Sequence, residues 1–310
     1  MSPFYNIDKG TIIMPMNKRG LAILNAYSKS KSFIAFYERM KEELSLLGIE
    51  LDKADTSSIY SYISSSGEVL GASLNYDFIL FLDKDLYISR MLEERGFRLF
   101  NTARAIENCD DKMLTHLLLS NHGIEMPKTV SAPLCYSDDQ NPDFLSNLEW
   151  ELAYPFIAKG NYGSLGKEVT LVHNREELEE AEKRFHQVAH IYQKFISSSF
   201  GFDYRLIIIN HHFVAGMKRQ NTSGDFRSNI ALGGIGVKTK LPKDYIEIAE
   251  KASVILGLDY CGVDLLQGDR REPVLCEVNS NAFLTGIEKT TGINVARAYS
   301  EHIAKTIYDI

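Results

Sequence analysis

The stretch 272–281, EPVLCEVNSN, reads as a strand that carries acid and amide groups. Val274, Cys276 and Val278 alternate with Leu275, Glu277 and Asn279. Glu277 and Asn279 therefore project from one face, two residues apart. Segment 258–268, LDYCGVDLLQG, supplies a second apolar run, and the polar DRR at 269–271 supplies the turn. In an antiparallel hairpin centred on that turn, paired residue numbers sum to about 541, which sets Asp264 opposite Glu277. Residues so paired share a face with Cβ atoms about 4.5–5.5 Å apart, and like charges there are destabilising. A hard divalent cation would resolve the conflict. Mg²⁺ takes one or two protein carboxylates together with substrate phosphates. Two acids on a solvated face are the alternative, and a one-residue slip would send them to opposite faces.

A second feature is KGNYGSLGKEV, 159–169. Gly160, Gly163 and Gly166 permit close approach of backbone N–H groups to a ligand. It is not a Walker A loop, which needs GxxxxGK[ST]: Gly166 lies six positions after Gly160, and Glu168 follows Lys167. It reads as a small flap between two strands, with a plain hairpin turn as the alternative. Lys159 ends the apolar run PFIAK, and Lys112 falls in the first turn of a helix. A cation there opposes the helix dipole, which makes sense if an anion occupies the site. Arg219, Arg227 and Asn229 add donors suited to phosphate or carboxylate oxygens.

The elements that must position these groups alternate along the chain. GTIIMPM (10–16) is a short apolar segment, and SFIAFYERMKEELSLLG carries apolar residues at helical spacing up to Gly48. YDFILFLD is a continuous apolar run, as in a strand covered on both faces. With DLYISRMLEERG as a helix and FRLFN as a strand, the first third is an α/β unit with a mostly parallel sheet. CDDKMLTHLLLSNHG predicts a helix from Asp110 to Gly123, and CYSDDQNPDF (135–144) an exposed loop. Strand, glycine loop, strand and helix follow from Pro155; then IYQKFI, YRLIIIN and HFVAGMKRQ read as strands, and DYIEIAEKASVILG as a helix before the hairpin.

Composition narrows the class. The 310 residues carry 34 basic and 41 acidic side chains, net −7, which argues against broad nucleic-acid binding. Cys109, Cys135, Cys261 and Cys276 form no CxxC pair, so reduced thiols in a cytoplasmic protein are expected. No apolar run approaches the roughly 18 residues of a membrane span, and the N-terminus lacks a signal-peptide pattern.

Taken together, DDKMLTHLLLSNHGIEMPKT, YQKFISSSFGFDYRL, GDFRSN, CGVD and CEVNSNAFLTGIEKTTG, in that order and with DxxxxxxxxxxxxExN spacing from Asp264 to Asn279, resemble the ATP-grasp superfamily. Within it the chain resembles the RimK-type (alpha-L-glutamate ligase-like) carboxylate–amine ligases, over roughly Phe100 to Ile310. The resemblance implies an α/β (α+β) fold: a small parallel α/β domain at 1–105, a central ATP-grasp subdomain with the glycine flap at 106–190, and a C-terminal subdomain with the metal site at 191–310. Lys112 and Lys159 would hold ATP phosphates, with Gly163, Ser164 and Gly166 in the flap above them. Gln193, Lys194, Phe195 and Ile196 would form the hinge that meets adenine. Many relatives have an acid in that hinge, where this chain has Lys194. Asp203 would lie near the ribose, and Arg227, Ser228 and Asn229 would line the nucleotide and acyl-phosphate region. Asp264, Glu277 and Asn279 would bind Mg²⁺ or Mn²⁺.

The implied chemistry has two steps. A carboxylate attacks the γ-phosphate of ATP to give an acyl phosphate, and an amine then displaces phosphate to form an amide. Phosphoryl transfer depends on in-line positioning and charge neutralisation, here by the metal, Lys159 and Arg219, with Arg227 and Asn229 beside the reacting groups. The amine acceptor would be an amino acid, peptide or protein tail, with glutamate the family default, and the resemblance allows a homo-oligomer, since such ligases are often dimers or tetramers. His116, His122, His173, His211 and His212 have no role in this scheme and read as surface or packing residues. The alternatives are a ligase of another ATP-grasp branch, making a dipeptide or cofactor tail; a catalytically silent ATP-binding regulator; and an unrelated α/β binding protein.

Overall fold

A computed structural model describes residues 18–28, 30–136, 141–163, 168–229 and 233–309. The segment 10–16, expected as a strand-like start, and the flap residues Ser164 and Gly166 lie outside the described residues.

The first sheet is parallel, in the order β2 (Ile49–Asp55), β1 (Lys18–Leu24), β5 (Phe78–Leu82), β6 (Leu99–Phe100). Every residue of β5 is buried. Its even-numbered side chains pack with α1 (Lys31–Ser45) and α10 (Val295–Tyr308), and Ile79 and Phe81 pack with α3 (Leu86–Glu94) and α4 (Ala103–Asp110). That is why the run FILFL is apolar at every position. The short helix α2 (Thr56–Ile59) and the hairpin β3 (Tyr62–Ile63) and β4 (Val69–Leu70) sit between β2 and β5.

The second sheet is antiparallel, in the order β7 (Thr129–Ser131), β10 (His190–Lys194), β8 (Phe156–Gly160), β9 (Val169–Val172). Helices α6 (Pro142–Leu152) and α7 (Arg175–Phe185) cover one side of it through Leu145, Leu148, Leu178 and Phe185. The third sheet runs β13 (Ile235–Lys238), β12 (His212–Gln220), β11 (Phe202–Ile209), β14 (Tyr260–Gln267), β15 (Pro273–Asn279). Helices α5 (Lys112–Leu119) and α8 (Lys243–Leu256) contribute to the core on one face of it, and α9 (Leu284–Thr291) with α10 to the core on the other.

That other face positions the site. Strand alternation puts Asp203, Arg205, Ile207 and Ile209 of β11 on one side. Ile207 and Ile209 join the core shared with the first sheet, with Ala215, Met217 and Tyr260. Asp203 and Arg205 continue the same face beyond that core. Cross-strand pairing sets Arg219 beside Asp203, and lines up Met217, Arg205, Asp264 and Glu277 in one row over four strands. One sheet face thus grades from apolar core to a charged cluster.

Two expectations need correction. The helix expected from Asp110 to Gly123 is shorter, α5 over Lys112–Leu119: α4 ends at Asp110, and Asp111, in an extended conformation, caps α5 by accepting from Met113 N–H at 2.9 Å and Leu114 N–H at 3.1 Å. An Asp at an N-cap satisfies donors that a continuing helix would leave no need to cap, so Asp111 marks the break between α4 and α5. The loop expected over 135–144 ends earlier, because Asn141 caps α6 by accepting from Phe144 N–H at 3.0 Å, with Pro142 in the first turn.

Candidate active site

A cleft of about 1010 Å³, open to solvent, lies between the β8–β9–β10 side of the second sheet and the charged face of the third. Among the residues expected at the site, Lys112, Lys159, Gly163, Gln193, Lys194, Phe195, Ile196, Asp203, Arg219, Arg227, Ser228, Asn229, Asp264 and Glu277 all line it. Asn279 does not; it pairs with Gly262 one step beyond Asp264 and Glu277, on their side of the sheet. Gly262 is required there, since a Cβ would come within 2.5 Å of the Ala282 Cβ. Phe195 and Ile196 follow the last ladder pair of β10, Lys194 with Phe156. Ile157, Leu266 and Phe226 give this end of the cleft apolar walls.

The register at the acids is the one the hairpin predicts: Asp264 opposes Glu277, and Val263 opposes Val278. Nearer the turn it shifts by one residue, with Leu265 opposite Leu275. This bulge changes the alternation. Leu275 joins the buried core with Val263, Leu265 and Val278, while Cys276 lines the cleft beside Glu277.

The conflict between the opposed acids is resolved by the chain's own cations. Arg205 donates to both oxygens of Asp264 at 2.6 Å, and Arg219 reaches Asp264 at 2.9 Å. Arg219 also donates to both oxygens of Asp203, through Nε at 2.7 Å and through Nη2. Asp264 and Arg219 are 3% and 4% exposed. Although burial opposes ionisation of Asp264, the two guanidiniums hold its carboxyl below the usual carboxylate range. The arginines thus relieve the acid pair in the absence of any metal cation, and Asp203 is committed to Arg219.

Other groups are less committed. Among the described residues, Glu277 has one ion-pair partner, Lys112, at 3.9 Å. Lys112 donates to the carbonyls of Asn161 at 3.3 Å and Gly163 at 3.1 Å, which ties the flap base to the start of α5, and burial lowers its pKa. Gly163 itself has φ +121°, a conformation that favours glycine. Lys159 is 5% exposed and makes no hydrogen bond or ion pair among the described residues. A buried ammonium without a partner is costly, so its position facing the cleft fits an anionic ligand. The side-chain amide nitrogen of Asn279 is likewise buried without a partner among the described residues. Glu277 and Asn279 offer oxygen ligands for a hard divalent cation; Asp264 offers only what the arginines leave.

Sequence reading missed three contributors. Arg205 shares a face with Asp203 in FDYRL, a two-residue spacing that could have exposed it. Asn161 donates to the capping Asp111 at 3.0 Å, a long-range contact with no local signal. His116, set aside as a surface or packing residue, is 5% exposed and near Gln193 Nε2 at 3.2 Å, while also bonding the Cys276 backbone. It joins α5, β10 and β15 behind the cleft. Burial, helped by Lys159 and Lys112, pulls the His116 pKa down to about 4 from 6.5. The unfolded chain therefore binds a proton below 6.5 that the folded chain refuses until about 4. This contribution is full above the upper value and is lost as pH falls through the window. Urea midpoints measured across it should fall with pH in the wild type and flatten in His116→Gln; equal slopes would refute the assignment.

Among solved structures, D-alanine–D-alanine ligase from Bacillus anthracis complexed with ATP superposes with TM-score 0.70 at 19% identity, covering 94% of this chain and 98% of that one. D-cycloserine synthetase DcsG gives TM-score 0.72 at 15% identity, covering 93% and 99%. The parallel sheet followed by two antiparallel sheets around a cleft is thus the architecture of ATP-grasp ligases. The chain belongs to the RimK-like ATP-grasp family, whose domain matches residues 109–303. Beta-citrylglutamate synthase B of Homo sapiens is 32% identical over 226 residues, 73% of this chain and 58% of that protein. The probable alpha-L-glutamate ligase of Psychromonas ingrahamii is 33% identical over 299 residues, 90% and 94% of the two chains. This chain spans 58% and 56% of the lengths of two human relatives, the synthase above and N-acetylaspartylglutamate synthase A. No helix among the described residues is long and apolar enough to cross a membrane.

Proposed function

We propose that the protein is an ATP-dependent carboxylate–amine ligase. It forms an amide through an acyl phosphate and adds an amino acid, glutamate first among candidates, to a peptide, protein or small-molecule acceptor. The observation that carries this reading is Lys159, a buried ammonium facing the cleft without a partner among the described residues. The names of three relatives support glutamate: a citrylglutamate synthase, an N-acetylaspartylglutamate synthase and an alpha-L-glutamate ligase.

In this proposal the chain divides at about residues 105 and 190, as its sequence suggests, and the nucleotide lies between the second and third sheets. The backbone of 193–196 meets the base, and Lys159 and Lys112 take phosphate oxygens under the flap that contains Gly163, Ser164 and Gly166. Arg227, Ser228 and Asn229 close the cleft near the sugar and the reacting carboxylate. Arg219, held by Asp203 and Asp264, faces the charge that develops on transfer. Glu277 and Asn279, with Asp264, would hold Mg²⁺ or Mn²⁺. Such an ion, when bound, neutralises phosphate charge and orients the transferring group. The flap's part is to keep water from the activated acyl group.

The test is ADP release over an amino-acid panel, with product mass detection. Release that needs ATP, glutamate and a second substrate, together with a product heavier by one glutamyl residue, is the expected result. Glu277→Gln should fold normally and lose at least 100-fold in rate; an unchanged rate in saturating Mg²⁺ would remove Glu277 from the metal site. One observation favours a binding-only regulator: the bidentate hold of Arg205 on Asp264. ATP binding without ADP release under any substrate pair would select that reading.

A further inference from the structure

A second cluster of ligand-type side chains lies in the central part of the chain, and none of its members lines the cleft. Glu182 and His186 share a face at the C-terminal end of α7, four residues apart. Cys135, in the segment after β7, faces them. Each offers one ligand atom, and the three atoms lie within 4.8 Å of one another. We propose that Cys135, Glu182 and His186 form a binding site for a zinc-class divalent cation, one that ties the segment after β7 to α7. This stands apart from the ligase reading and does not depend on it.

The donor chemistry selects the ion. A thiolate, an imidazole and a carboxylate suit zinc, whereas the oxygen donors of the cleft suit magnesium. Zinc bond lengths of about 2.0–2.3 Å place tetrahedral ligand atoms roughly 3.3–3.8 Å apart. Closing the cluster needs about 1 Å of movement, within the reach of side-chain rotation.

The glutamate is already oriented. Glu182 is 6% exposed, and its Oε2 is contacted by His190 Nε2 at 3.4 Å and accepts from the Tyr192 hydroxyl. Both contacts use the same oxygen, so Oε1 keeps its lone pairs for another partner. Those contacts, with His190 the larger influence, hold the Glu182 carboxyl below its ordinary range and therefore anionic. Outer partners of this kind fix metal ligands in place. His190 and Tyr192 stand on β10, so the second shell is built on a sheet strand rather than a loop. Three protein ligands leave a fourth position for water.

The full chain, stripped with chelator, is titrated with Co²⁺ as a spectroscopic substitute and with Zn²⁺ in competition. One equivalent should bind with a thiolate-to-cobalt charge-transfer band in the near ultraviolet. Cys135→Ser should lose the band, and His186→Gln and Glu182→Gln should each weaken Zn²⁺ at least tenfold. Zn²⁺ should raise the melting temperature of the wild type and of Glu277→Gln but not of Cys135→Ser, while Cys135→Ser keeps wild-type affinity for Mg²⁺–ATP. Absence of a thiolate band in the wild type overturns the site. So does a band that persists at unchanged affinity in His186→Gln, which would mark a contact with the lone thiol.

Discussion

Lys159→Met is expected to abolish most ATP binding while leaving the chain folded. In the free protein the lysine is 5% exposed without an ion pair or hydrogen bond among the described residues. Burying an unpaired charge costs several kcal/mol, so an apolar isostere is neutral or stabilising before ligand arrives. With a triphosphate bound the sign reverses. Removing one partner of a buried, hydrogen-bonded charge pair typically costs about 2–5 kcal/mol, a loss of roughly thirtyfold or more in affinity. Thermal shift across an Mg²⁺–ATP titration reads both effects at once. A variant that keeps its ATP-dependent shift would take Lys159 out of the phosphate site. Lys112→Met offers a contrast: that lysine bonds the Asn161 and Gly163 carbonyls, so its loss should lower the melting temperature even without nucleotide.

The second large effect concerns stability. Arg219→Met leaves Asp203 without its guanidinium partner and Asp264 with Arg205 alone, in positions 8% and 3% exposed. Breaking a buried pair from one side typically costs about 3–5 kcal/mol, because the remaining charge stays buried and uncompensated. Urea unfolding of Arg219→Met, Asp203→Asn and the double variant forms a cycle. The double variant should be more stable than the sum of the single losses predicts. A loss below about 1 kcal/mol in Arg219→Met would mean that solvent reaches the cluster and the pair behaves as a surface one.

How far these groups could be read in advance depended on their neighbours in the chain. The pairing of Asp264 with Glu277 was legible because a polar turn between two apolar runs sets a register that local pattern alone encodes. The bulge beside it was not, since Leu275 and Cys276 suit either side of a strand. The parallel character of the first sheet showed in FILFL, whose every position must be apolar. The break at Asp111 was hidden because an Asp can cap a helix or decorate its first turn, and the choice rests on Asn161, fifty residues away. Arg205 went unnoticed for a similar reason: its role is defined by a neighbour on another strand, not by its own segment. In β1, KRGLAIL was overlooked in favour of the apolar GTIIMPM before it.

The irregularity between Asp264 and Leu265 has a practical side. A strand pair that absorbs one extra residue at that point insulates what lies on either side of it. The tip at 268–272 can then be lengthened, shortened or replaced with an affinity epitope, and any resulting slippage dissipates before it reaches the carboxylates. An affinity epitope placed in that tip, four residues from Asp264 and five from Glu277 along the strands, is therefore expected to leave the wild-type melting temperature unchanged.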